Sequence, residues 1–368
     1  ADGTVDPGFV LDANARVFAL APDDWSGIVV GGEFTRLGQA GRLCLARLLA
    51  DGALDPDFNP GANGAVETLA VQPDGRILVG GQFTVLGGKP RARLGRLMRD
   101  GSVDLDFQAD ASGEVHALAL LTDGGVLVGG WFDLIGGVMR HGLARLYPDG
   151  QLDNRFVANA DGSVLALAVR ADGQVLVGGG FGSLQGQPRS GVARLSATHP
   201  AISVLTHDSS GVRWLRGGSG PEVWRTVFEH SVDRKNWTVL GNGVRIPGGW
   251  ECQGESVPEE DEGWLRARGY TIAGQIGTSS WYVEALLPLG ETEPPQILLG
   301  EGSPSFTEAG FSFDVVGTPG TTVAVEVSLD LLEWAELETV VLGAEPSAIN
   351  DPDADRSGQR FYRVRQLR

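Results

Sequence analysis

Four segments of the 368-residue chain align with one another at a spacing of 49 residues, without one gap. The runs "IVVGGEF", "ILVGGQF", "VLVGGWF" and "VLVGGGF" begin at Ile28, Ile77, Val126 and Val175. Asp2, Asp51, Asp100 and Asp149 open the copies, and Phe9, Phe58, Phe107 and Phe156 follow at equal distance. Arg47, Arg96, Arg145 and Arg194 stand near their ends. A period kept this strictly means that each unit meets its neighbours in one way and relies on a neighbour to cover its apolar side. The chain must therefore build a stack or a ring of like units.

Within one copy the periodicity is that of strands. "AVETLAVQ" (65–72) is a short apolar run closed by "PDG", a hairpin-turn signal, and "RILVGG" is a second buried run. "RARLGRL" from Arg91 alternates arginine with apolar residues as a third strand, and "GALDPDF" supplies a shorter fourth. Four strands in a unit of about 40–50 residues is the arithmetic of a β-propeller blade. Helical repeats of this length need amphipathic runs, and the copies hold none. Gly80, Gly81 and Phe83, with their counterparts, read as architecture: a bend at the strand end and a plug between sheets. They do not form a phosphate loop, because Pro90 follows Lys89 where a hydroxyl residue is needed.

The pattern that runs from "DGALDPDF" through "ILVGGQFTVLGG" to the closing Arg-Leu resembles the delta-60 repeat, a bacterial β-propeller repeat of large secreted or surface-associated proteins. The resemblance covers residues 2–197, with blades at 2–50, 51–99, 100–148 and 149–197. It implies a propeller fold and an extracellular or cell-surface setting, and it carries no catalytic signature. The first copy departs at its hairpin, where Trp25-Ser26 replaces Asp-Gly and puts a large aromatic at a turn. The chain opens on Ala1, so a signal peptide and further blades are expected upstream.

A second self-similarity begins beyond Thr198, now at an offset of 97 residues. "EHSVDRKNWTVL" from Glu229 matches "EVSLDLLEWAEL" from Glu326, and "WLRAR" (264–268) matches "FYRVR" (361–365). Both regions are rich in strands and turns, which predicts two small β-sandwiches at 198–292 and 293–368, joined by the proline-stiffened "GETEPPQ". Their S-x-D-x-x-x-W motif is similar to the Asp-box hairpin of sialidase-type propellers, a folding element, although Lys235 and Leu332 replace its usual turn glycine. The two regions resemble fibronectin- or immunoglobulin-type modules of bacterial surface proteins. The fold class is all-β throughout.

Candidate chemistry is sparse. The five histidines stand at no metal-ligand spacing, and the aspartates of "DGALDPDF" lack the spacing of a calcium loop, so they are assigned to turn capping and arginine pairing. Cys44 and Cys252 fall in different regions and make no disulfide framework. A net charge of −18 without a basic patch excludes nucleic acid as a partner class, and no apolar run is long enough to be a transmembrane helix. No cofactor or metal is implied.

These readings point to an interaction protein, with a protein or a polysaccharide as partner and no catalysis. The alternative is a carbohydrate-active hydrolase, which needs only a carboxylate pair on the propeller. Binding residues are sought where the copies differ. The position after each Gly-Gly reads Glu33, Gln82, Trp131 and Gly180, and one on the first strand reads Phe18, Glu67, His116 and Leu165. Trp25, Trp131 and His116 are the candidates, together with the six tryptophans between Trp214 and Trp281, more than one sandwich core needs.

Overall fold

The computed structural model describes residues 4–23, 27–196, 201–208, 211–253, 263–271, 282–289, 296–298, 305–307, 310–317, 321–328, 334–343, 346–354 and 360–366. Among them every regular element is a strand. The chain is all-β: four propeller-type blades followed by two small β-sandwiches. It divides into one compact unit of residues 1–259 and 263–287 and another of residues 260–262 and 288–368.

The second copy shows how a blade is made. Val66–Val71, Ile77–Gly81 and Leu94–Leu97 pair antiparallel, with Ile77–Gly81 in the middle. A two-residue ladder, Val85–Leu86 against Lys89–Pro90, projects beyond them. The fourth strand expected from "GALDPDF" is realised as one bridge, made with the preceding copy: Leu48 to Leu54, Leu97 to Val103 and Leu146 to Leu152. It stops there because Asp55, Asp104 and Asp153 each accept the N–H two residues on, which turns the chain away from the edge. The opening of each copy thus completes the blade before it.

Alternation along the strands sends each blade's two faces to different neighbours. Ile77 and Val79 pack with Ala19, Val29 and Leu45 of the first blade, whereas Leu78 and Leu94 pack with Val115 and Leu118 of the third. The core is therefore a series of seams between blades. The glycine pair fits this plan. A Cβ on Gly80 would lie 2.7 Å from Val115 of the next blade, and one on Gly81 would lie 2.1 Å from the Ala65 carbonyl oxygen. Phe34, Phe83, Phe132 and Phe181 are buried beside the pairs.

The repeated charges form the second joint. Arg47, Arg96 and Arg145 pair with Asp55, Asp104 and Asp153 at 2.7–2.8 Å. The Arg96 guanidinium also donates to the Pro148 carbonyl at 2.5 Å and lies 4.5 Å from the centre of the Phe107 ring. Each arginine grips residues of the following copy. Arg91 donates instead to the main-chain oxygen of Asp104, so the two arginine series divide the work on one turn.

The first sandwich has two four-stranded sheets. Trp214 of one sheet fills the space a Cβ on Gly269 of the other would occupy. This module is tied to the third blade. Leu121 bridges Pro221, Thr122 N–H donates to the Gly220 carbonyl, and the Thr122 hydroxyl lies 3.0 Å from the carbonyls of Gly217 and Gly218.

The second unit, taken by itself, stacks a four-stranded sheet on a three-stranded one around Phe313, Val315, Val323 and Val325. The offset of 97 residues recurs as structure in both sandwiches. Glu229 pairs with Arg266 and Glu326 with Arg363, at 2.8 and 2.6 Å, and each arginine covers a tryptophan, Trp237 or Trp334.

Candidate binding groove

Side chains at the repeated positions are consumed by the seams, so the variable positions decide what the surface offers. On the first strands, equivalent residues of neighbouring blades come side by side. Glu67 and His116 stand 49 residues apart and meet in a short contact between the Glu67 carboxylate and His116 Nδ1. Glu114 lies 3.7 Å from the other ring nitrogen, and Gln82 donates to Glu67 at 2.7 Å. The hydrogen bond to Glu67 raises the His116 pKa above its ordinary value, against the opposing effect of burial. The two carboxylates clasp the ring from its two nitrogens, and one ligand atom from each of the three residues lies within 4.8 Å of the others, close enough to share a metal ion.

Trp131 faces Glu114 across the strand pair, one ladder step from His116's own strand neighbour Val115. It is 71% exposed; its counterpart Gln82 is exposed too, but its amide is held by Glu67. From this rim a groove of about 380 Å³ runs between the third and fourth blades. Phe132 lies at its base, and Asp133, His141, Asn159, Asp161 and Ser183 supply polar edges. Asp133 and His141 hold each other at 2.8 Å. Asp161 accepts the N–H groups of Gly182 and Ser183, which holds its carboxyl below the usual range.

Trp131 lines the groove, whereas His116 is outside its lining and stands at the seam between the second and third blades against Glu67, and Trp25 lies outside the described residues. Sequence reasoning missed Asp133 and His141. Both carried the signal used for Trp131, since their counterparts are Thr84 and Gly182 for the first and Ala92 and Ser190 for the second. The expected surplus of tryptophans in the first sandwich is absorbed by arginine. Trp214 and Trp250 are buried, and Trp224, Trp237 and Trp264 lie partly covered beneath Arg225, Arg266 and Arg234. Trp281 lies outside the described residues, as do His199 and "PEEDE" (258–262).

Comparison with known proteins agrees with the repeat. Residues 27–58, 72–107, 121–156 and 170–198 match a family model described as "Domain of unknown function (DUF5122) beta-propeller". The four copies are β-propeller repeats. A crystal structure titled "tetra-tandem repeat in extending region of large adhesion protein" is similar at 12% identity, covering 97% of this chain and 92% of that one. Its TM-score of 0.19 is too low for that likeness to bear on the fold. No curated protein matches the chain. Among the described residues no helix is long and apolar enough to cross a membrane.

Proposed function

We propose that the chain is a non-catalytic interaction protein of the cell surface or the extracellular space, and that the groove between the third and fourth blades binds a glycan. The carrying observation is Trp131, a large aromatic left exposed at a position where the other copies hold Glu33, Gln82 or Gly180. An exposed indole presents a flat apolar face on which a sugar ring can stack, and Asp133 and Asn159 beside it can bond hydroxyl groups. The extracellular placement rests on the resemblance of the repeats and of the two sandwiches to modules of bacterial surface proteins.

The groove's carboxylates favour binding over hydrolysis. Glycoside hydrolysis needs one carboxyl group held protonated as an acid. Asp161 is instead held ionised by two main-chain N–H groups, and Asp133 is exposed and bound to His141. A glycan array followed by titration calorimetry on the best hit tests the reading. Trp131→Ala should weaken binding by about 10-fold or more, as loss of a stacked aromatic anchor does. Full affinity in that variant, or turnover of the bound glycan, would remove it.

A further inference from the structure

The first and fourth blades each present one face that has no counterpart among the inner blades. On the front of the first blade Leu20 is 55% exposed and Val17 and Ile28 are open too, whereas Leu69, Val66 and Ile77 of the second blade are buried against the first. On the back of the fourth blade Val192 is 64% exposed beside Leu176, whereas Leu143 and Leu127 of the third blade are buried against the fourth. The chain itself shows what covers such faces. At each of three seams the valine and leucine of one blade's front seat on the glycine and leucines of the preceding blade's back.

The charged joint is split in the same way. Asp55 and Phe58 serve Arg47 of the blade before, and Asp104 and Phe107 serve Arg96. Asp6 and Phe9 hold these positions in the first copy, and the described residues include no arginine of an earlier copy for them to serve. Phe9 is 50% exposed while Phe58 and Phe107 are buried. Arg194 holds the matching position at the exposed outer edge of the fourth blade, where the chain goes on into the sandwich and no fifth copy follows. The two ends are therefore the two halves of one interface that the chain forms internally three times.

We propose that the back of the fourth blade is a docking face for a second copy of this chain, which seats its first blade there head to tail. Val17 and Leu20 of the incoming copy cover Gly178 and Val192, its segment 4–9 runs along the edge at Leu195, and its Asp6 takes Arg194. Such a contact uses different patches on the two copies, so it grows as an open chain or closes as a ring.

Sedimentation of the whole chain over a concentration series tests this. The weight-average mass of the wild type should rise with concentration. Leu20→Glu and Val192→Glu each place a charge in one half of the interface and should weaken association about 100-fold or more. Each variant keeps the half that the other has lost, so an equimolar mixture should form a one-to-one dimer and nothing larger. Met139→Glu, on exposed surface away from both faces, should associate as the wild type does. Asp6→Arg replaces Leu20→Glu if that variant fails to fold. A wild type that stays monomeric, association that survives either end variant, or a mixture that restores no pairing would overturn the proposal.

Discussion

The second and fourth blades have nearly the same sequence along their middle strands and live in different surroundings. Gly80 lies beneath Val115 of the third blade, whereas among the described residues a Cβ on Gly178 would meet only Ala166 of its own blade, at 3.5 Å. Arg96 is buried against Asp104 and Phe107, whereas Arg194 is exposed. The same residue is thus a joint in one copy and a surface group in the other. What a repeated residue contributes is set by the copy that follows it. Paired substitutions at equivalent positions can separate the two roles.

The largest difference is expected at the arginines. Burial disfavours the charge on Asp104, but its bonds to Arg96 and to the Asp106 N–H outweigh that and lower its pKa. Removing Arg96 leaves that carboxylate buried without its partner, so Arg96→Ala should cost about 3–5 kcal/mol in urea unfolding. Arg194→Ala should cost about 1 kcal/mol or less. Equal costs would mean that the buried pairs are not what joins the blades.

The glycines come next. Gly80→Ala forces a methyl group against Val115 and Thr68, and overpacking of this kind costs about 1–3 kcal/mol. Gly178→Ala meets no neighbouring blade and should change stability by less than about 0.5 kcal/mol. Thermal melts of both variants decide it, and a large loss in Gly178→Ala would contradict the open face.

A smaller effect concerns pH at the seam between the second and third blades. The folded-state pKa of His116 is raised above 6.5, so its bond to Glu67 contributes fully below that value. The contribution is lost as pH rises through the raised value. The wild type should therefore exceed His116→Leu in stability by about 1 kcal/mol at about pH 5.5, and by less at about pH 8.5. Leucine already stands at this position in the fourth copy, as Leu165. A gap between the two proteins that does not depend on pH would rule out the clasp.

The smallest effect belongs to the sandwiches, where the repeated acid–arginine pair stays within one module. Arg363 is about half exposed above Trp334, so Arg363→Ala should cost about 0.5–1 kcal/mol, well below Arg96→Ala. Chemical denaturation followed by tryptophan fluorescence measures it. A cost to match Arg96 would show that local clamps and joints between repeats are equally strong.

Much of this architecture is legible in the sequence because repetition supplies its own alignment. The period fixes the seams, and the recurring Arg96 and Asp104 series predict the pairing that is found. The fourth strand is legible only in part, since the aspartate that pairs with arginine also turns the chain off the sheet edge after one bridge. The groove is harder to read. Trp131, Asp133 and Asn159 come from two copies, and nothing in a single copy's pattern says which variable side chains converge. Arginine covers over the sandwich tryptophans are equally silent, because they depend on cross-strand register.

The bonds between the third blade and residues 217–222 give tension a shortcut. Thr122 and Leu120 meet Gly220 and Glu222 across roughly 100 residues of chain, and the whole fourth blade lies within that loop. A pull applied beyond the first sandwich is borne at the hairpin of the third blade before any of it reaches Val192–Leu195. The fourth blade is mechanically sheltered, a hanging leaf beside the load path, so a ligand held in its groove would ride through strain on the chain that carries it.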